Sequence, residues 1–235
     1  MRRRSILGAA AAVVGSLALA GSALAAFAGV TNGSFETGTH SGAPFDTLNV
    51  GSTNLTGWTI TTGNVDWVNS YWQAKDGSKS LDMTGNSPGA ISQTLATTIG
   101  KTYVVSFALS GNPAGGPAVK TLIVSATGGV ATTYTFDTGI AGNTLADMKW
   151  AAKTYSFPAT SASTVLTFTS ATAGFYGPAL DNVVVTENVA GGPGAKCKNG
   201  GWRTMVDSHG NRFKNQGDCV SYFATGGKNV GSVTP

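Results

Sequence analysis

Two carboxylates stand near opposite ends of the central part of this 235-residue chain. Glu36 closes Asn32-Gly33-Ser34-Phe35-Glu36, and Asp181 sits in Ala179-Leu180-Asp181-Asn182-Val183. If the first and last strands of a sandwich lie side by side, these side chains become neighbours. Half-buried carboxylates repel one another unless a cation or a set of donors lies between them. Two arrangements meet that need. One is a structural calcium ion held by both carboxylates and by backbone carbonyls of a turn such as Lys75-Asp76-Gly77-Ser78-Lys79. The other has each carboxylate accepting backbone N–H groups at a strand end.

A second set is aromatic: Trp58, Trp67, Tyr71 and Trp72. Sugar rings present flat C–H faces, on which indole and phenol rings stack with a large apolar area at low rotamer cost. Asp66, Asn69 and Gln73 lie beside them and could bond hydroxyl groups. Trp58 and Trp67 fall in strand-like runs, where a core role competes with a ligand role. Tyr71 and Trp72 fall in a less regular segment. The ligand-binding candidates are therefore Tyr71, Trp72, Gln73 and Trp67. Trp150, Tyr155 and Phe157 read as core.

Cys197 and Cys219 are the only cysteines. In an oxidising compartment they pair, and closing that loop constrains the unfolded chain by about 3 kcal/mol. A zinc site fits poorly, because two cysteines and His209 leave a ligand missing. Trp202, Phe213, Tyr222 and Phe223 supply a mini-core for a segment too small to hold itself by burial alone. It reads either as a surface-adhesion or partner-docking module or as an ordered, passive tail.

Catalytic patterns are sparse. Gly85-Asn86-Ser87-Pro88-Gly89 meets the Gly-x-Ser-x-Gly spacing, but a strand-like run follows it where a nucleophile elbow needs a helix. There is no His-Glu-x-x-His, phosphate loop or dinucleotide fingerprint. His40, in a Gly/Ser/Thr loop, is expected to be solvated. Asp66 and Asp82 are carboxylates of the type that hydrolyse glycosides, yet nothing around them marks them for it. The expectation is a protein that is not an enzyme.

Residues 1–25 read as a signal peptide. Arg2 to Arg4 precede an apolar stretch, and Ala23-Leu24-Ala25 fits the cleavage rule. Arg3-Arg4-Ser5-Ile6-Leu7 partly meets a twin-arginine pattern, so two export routes stay open. No second long apolar segment follows, so the mature chain is expected to lack an integral membrane segment. It should be secreted or extracellular, with cell-surface association open. Of the 15 basic residues, three belong to the leader and six lie from Lys196 onward. The body keeps six against nine acidic ones, so its charge gives no reason to expect nucleic-acid binding.

The body, 26–190, reads as strands bounded by turn residues: 57–61, 64–68, 79–83, 90–95, 102–109, 121–126, 130–136, 153–157, 164–169 and 182–186. Leu166 and Phe168 alternate with Thr167 and Thr169, one face dry and one wet. A short helical turn is expected within 141–149. A Gly/Pro linker at 191–195 precedes the basic disulfide-closed module, 196–235. Many short strands with turn signals argue for a two-sheet sandwich or jelly roll.

Several motifs follow one another in order: Asn32-Gly33-Ser34-Phe35-Glu36, Gly57-Trp58, Asp66-Trp67-Val68, Tyr71-Trp72-Gln73, Asp76-Gly77-Ser78-Lys79-Ser80-Leu81-Asp82-Met83, Gly89 to Gln93, Gly100-Lys101-Thr102-Tyr103 and Gly177-Pro178-Ala179-Leu180-Asp181-Asn182-Val183. Together they resemble the choice-of-anchor C family of bacterial exported proteins. That family is similar to the plant cell-wall proteins of domain of unknown function 642. Both resemble galactose-binding-like jelly rolls, among which are many carbohydrate-binding modules. The resemblance implies an all-β, galactose-binding-like jelly-roll β-sandwich, a structural Ca2+ at Glu36 and Asp181, and binding of polysaccharide or cell-wall glycan. The alternative is a structural or protein-interaction component of the envelope, attached through the C-terminal module. The plant proteins carry a cysteine before Gly-Pro where this chain has Tyr176, which separates it from their specific partners.

Overall fold

The computed structural model describes residues 29–188 and 197–224. The expected leader at 1–25 and linker at 191–195 lie outside the described residues. Two antiparallel sheets face each other. One has six strands in the order β1 (Phe45–Asn49), β3 (Asn64–Val68), β4 (Ser80–Asp82), β11 (Pro178–Asn188), β6 (Thr102–Gly111) and β9 (Ala151–Pro158). The other has five, in the order β2 (Thr59–Thr62), β5 (Ala90–Ala96), β10 (Ser163–Ser170), β7 (Val119–Ala126) and β8 (Thr132–Asp137). This is the all-β jelly-roll sandwich expected from the strand pattern.

Alternation fills the space between the sheets. Leu166 and Phe168 of β10 point inward, as do Val65 and Trp67 of β3, and Tyr103, Val105, Phe107 and Leu109 of β6. Phe168 meets Trp58 at a ring distance of 6.0 Å and Phe107 at 5.4 Å, both edge-on. Burying such a ring contributes about 2–3 kcal/mol.

Two elements depart from expectation. β1 has only Leu48 buried among Phe45–Asn49, so it carries little hydrophobic pattern; its place comes from pairing with β3. The short helix lies earlier than 141–149. It is α1 (Thr138–Ala141), set by Asp137, whose Oδ1 accepts from Gly139 N at 2.9 Å and Ile140 N at 3.2 Å.

The outer face of the six-stranded sheet has its own small apolar cluster. Val68, Trp72, Met148 and Ala179 are buried there, with Tyr71, Leu145 and Trp150 packed against them. Trp150 thus joins this outer cluster, not the inter-sheet core, while Tyr155 and Phe157 lie in that core.

The C-terminal module holds the Cys197–Cys219 disulfide. α2 (Gln216–Ala224) carries Cys219 and Tyr222, which are buried with Cys197 and Phe213; Trp202 and Phe223 pack on them. Asp207 Oδ1 accepts from the N–H groups of His209 and Asn211, both at 2.8 Å, which holds the intervening turn.

Candidate ligand-binding cleft

The two ends of the body do meet. Val183 N donates to Gly33 O at 2.9 Å. A side chain at Gly33 would run into the backbone of Val183, so only glycine lets these segments touch. β11 shifts register between Asp181 and Val184, with Asn182 at φ 48, a left-handed conformation that asparagine tolerates. Alternation places Asp181 on the outer face while Leu180 and Val183 join the core.

Both carboxylates then seize one turn. Asp181 Oδ2 accepts from Lys75 N at 2.7 Å and Asp76 N at 3.0 Å, and its Oδ1 accepts from Asn182 N at 2.6 Å. Glu36 Oε1 accepts from Ser78 N at 2.8 Å and Lys79 N at 2.6 Å, and its Oε2 accepts from Ser78 Oγ at 2.8 Å. All four carboxylate oxygens thus face donors. The turn offers N–H groups where a calcium ion needs oxygens, so these residues do not fit a calcium site in this arrangement. Among the described residues no group of three or more His, Cys, Asp or Glu is placed to hold a metal. Asp181 is fully buried, and that burial pushes its pKa up to about 7 against the pull of the three N–H groups.

The clasped turn lies just after Tyr71 and Trp72, which border a cleft of about 180 Å³ on the same outer face. Its floor is a row of cross-strand neighbours. Thr47 of β1 pairs with Asp66 of β3, which pairs with Asp82 of β4. Thr47 Oγ1 donates to Asp66 Oδ1 at 2.6 Å. Asp82 is buried and fully engaged. Its Oδ1 accepts from Thr84 N at 2.9 Å and Gly177 N at 3.0 Å, and its Oδ2 from Asn112 Nδ2 at 2.8 Å. Burial lifts Asp82 to about 7, with the Asp66 charge adding to the rise, and burial raises Asp66 as well.

The walls are aromatic. Phe45 and Tyr71 stand on one side, their rings 5.6 Å apart and edge-on. Phe175 and Tyr176 also line the cleft, and Phe175 is 60% exposed. Lys120 fixes this loop. Its side chain is buried, and its Nζ donates to Gly115 O and Tyr176 O, both at 2.7 Å. Gly115 lies flat against the Tyr176 ring, where a Cβ would collide with it.

Residues 28–186 match the family model described as "Protein of unknown function (DUF642)", which spans more than half of the chain. The chain belongs to the DUF642 family. A relative among characterised proteins is halomucin of Haloquadratum walsbyi, 34% identical over 165 residues. That stretch is 68% of this chain but only 2% of halomucin. Solved structures similar to this DUF642 chain include a family 16 carbohydrate-binding module (TM-score 0.43, 17% identity, covering 67% of this chain and 99% of that one). Another is the CBM22-1 xylan-binding domain of Paenibacillus barcinonensis Xyn10C (TM-score 0.41, 21% identity, covering 66% and 90%). A third is TmCBM61 in complex with beta-1,4-galactotriose (TM-score 0.38, 18% identity, covering 67% and 97%).

The residues singled out from the DUF642 sequence part company in the structure. Tyr71 lines the cleft and is partly exposed. Trp72 also borders it but is only 5% exposed, its Nε1 donating to Ser80 Oγ at 2.7 Å; it braces the wall and offers no open indole face. Gln73 is exposed but lies outside the cleft lining, its backbone N bonded to Leu145 O. Trp67 is a correction: it is fully buried in the inter-sheet core, with Nε1 donating to Phe35 O at 2.8 Å, so it cannot stack on a ligand. His40 is not solvated either. Its Nε2 lies 2.9 Å from Trp67 O, and its ring packs edge-on against the Trp67 indole at 4.8 Å. Phe45, Phe175, Tyr176, Asn86 and Asn112 were not anticipated: Phe45 opens the edge strand β1, which has one buried residue, and the others come from connections whose sequence carries no periodicity.

Proposed function

We propose that this chain is an exported, non-catalytic protein that binds cell-wall or extracellular polysaccharide in the cleft on the outer face of the six-stranded sheet. One observation carries this reading: exposed aromatic rings surround a floor of side-chain oxygens and amides. Rings of Tyr71, Phe175 and Tyr176 present stacking faces; Asp66 and Asn86 present groups for hydroxyls. The ordered motifs also resemble those of the choice-of-anchor C family of bacterial exported proteins.

A glycosidase is disfavoured by placement. Two catalytic carboxyls must reach a glycosidic bond from separate sides. Asp66 and Asp82 are side by side on one floor, and Asp82 spends both oxygens on internal donors. The test is affinity electrophoresis through gels containing soluble polysaccharides. The wild type should be retarded by at least one, and Phe175→Ala and Tyr176→Ala should each weaken binding about tenfold. No retardation of a folded sample by any glycan, or retardation that ignores both substitutions, overturns the reading.

A further inference from the structure

The charge of the cleft is one-sided. Its lining includes two carboxylates and no lysine, arginine or histidine. Lys120, which holds the Tyr176 loop, is spent on the Gly115 and Tyr176 carbonyls and is buried. It can offset one carboxylate from beneath, and Asp82 is the one whose charge it feels. Asp66 is left over. Its Oδ1 takes the Thr47 hydroxyl, and Oδ2 has no partner among the described residues. The walls beside it are Phe45, Tyr71 and Tyr176, whose ring faces attract cations as well as C–H groups.

Such a site penalises a uronic acid, whose carboxylate would enter a space that already holds two. A neutral sugar gains ordinary hydrogen bonds there. A sugar bearing a protonated amine gains a charge-assisted bond to Asp66 and an aromatic enclosure around the cation.

We propose that the glycan recognised by this cleft carries free amino groups: a hexosamine polymer that is not fully N-acetylated, bound through Asp66 Oδ2 between the aromatic walls. This rests on the carbohydrate-binding reading above and names the ligand class for that same cleft. No bond is made or broken.

The experiment is isothermal titration of the full chain with four oligosaccharides of equal length: β-1,4-linked glucosamine, the same oligomer N-acetylated, β-1,4-linked glucose, and a uronic acid oligomer. The glucosamine oligomer should bind on the order of tenfold more tightly than its N-acetylated form. The uronic acid oligomer should bind most weakly. In Asp66→Asn the ratio of the glucosamine to the glucose affinity should collapse towards one, whatever the absolute values. The comparison of the amine with its acetylated twin needs no variant, so it stands if the substituted chain misfolds. Equal binding of the glucose and glucosamine oligomers, or tightest binding of the uronic acid, overturns the amine proposal and leaves the carbohydrate reading intact. Binding of none of the four overturns both.

Discussion

Asp181→Ala is expected to destabilise the body by about 3 kcal/mol, enough to lower Tm by about 6–12 °C in a domain of this size. The carboxylate accepts three backbone N–H groups, from Lys75, Asp76 and Asn182. Removing it leaves these partly buried donors without their acceptor, and each donor left unpaired costs about 1–3 kcal/mol. Relief of the carboxylate's own burial offsets part of that loss. Asp181→Asn keeps an oxygen for Lys75 and Asp76 but turns an amide N–H2 toward Asn182 N, so it should fall between. Glu36→Ala should cost less, because its side chain is 34% exposed and water can replace it. The clasped turn adjoins Tyr71 and Trp72, so Asp181→Ala should weaken glycan binding too. Differential scanning calorimetry of wild type with a chelator separates this account from a calcium site. The clasp uses N–H donors, so chelation should leave Tm in place. A chelator-induced drop matching that of Asp181→Ala would restore the ion.

The second large effect is on pH dependence. Asp82 and Asp181 both have an ordinary pKa of 3.8 raised to about 7 in the folded chain. Between those values the folded state holds more protons than the unfolded one. Stability contributed by these groups is therefore full below the unfolded value and lost as pH rises towards about 7. Asp66, also raised, acts in the same direction. Asp46, Asp147 and Asp207 are lowered, so their contribution is complete above 3.8 and is lost only in more acidic solution. Between pH about 5 and about 8 the raised group governs, and Tm should fall by about 5–10 °C. The groups facing Asp82 are Asp66, whose charge raises it, Asn112, Thr84 N and Gly177 N, whose bonds lower it, and the buried Lys120, which feels its charge. Asp82→Asn should flatten the slope by about half. Thermal melts across this range check it, and a Tm that climbs with pH would contradict the burial argument.

Strand positions were legible wherever side chains alternate. The segment 64–68 was placed to the residue, and the others within a few, because β-branched and aromatic residues mark one dry face. β1 was not legible, since an edge strand with one inward leucine has no alternation to see. The meeting of Glu36 and Asp181 at one turn followed from the adjacency of first and last segments in a sandwich. What filled their oxygens did not follow: N–H groups and carbonyls belong to the same backbone, and only the turn's orientation decides which faces inward. The cleft was legible in part. Tyr71 was found because it breaks strand periodicity beside other aromatics. Trp72 sits next to it and points into the outer cluster, a distinction of rotation that spacing does not encode. Phe175 and Tyr176 arrive from the far end of the body and are held by Lys120, a lysine that composition alone would assign to the surface.

The most direct test of the central claim is a heteronuclear NMR titration of the isotope-labelled chain with a glycan that retards it in gels. Chemical-shift changes should gather on Phe45, Asp66, Tyr71, Asn86, Phe175 and Tyr176. Changes gathered instead on the five-stranded sheet or in the disulfide-closed module would contradict the assignment of the cleft.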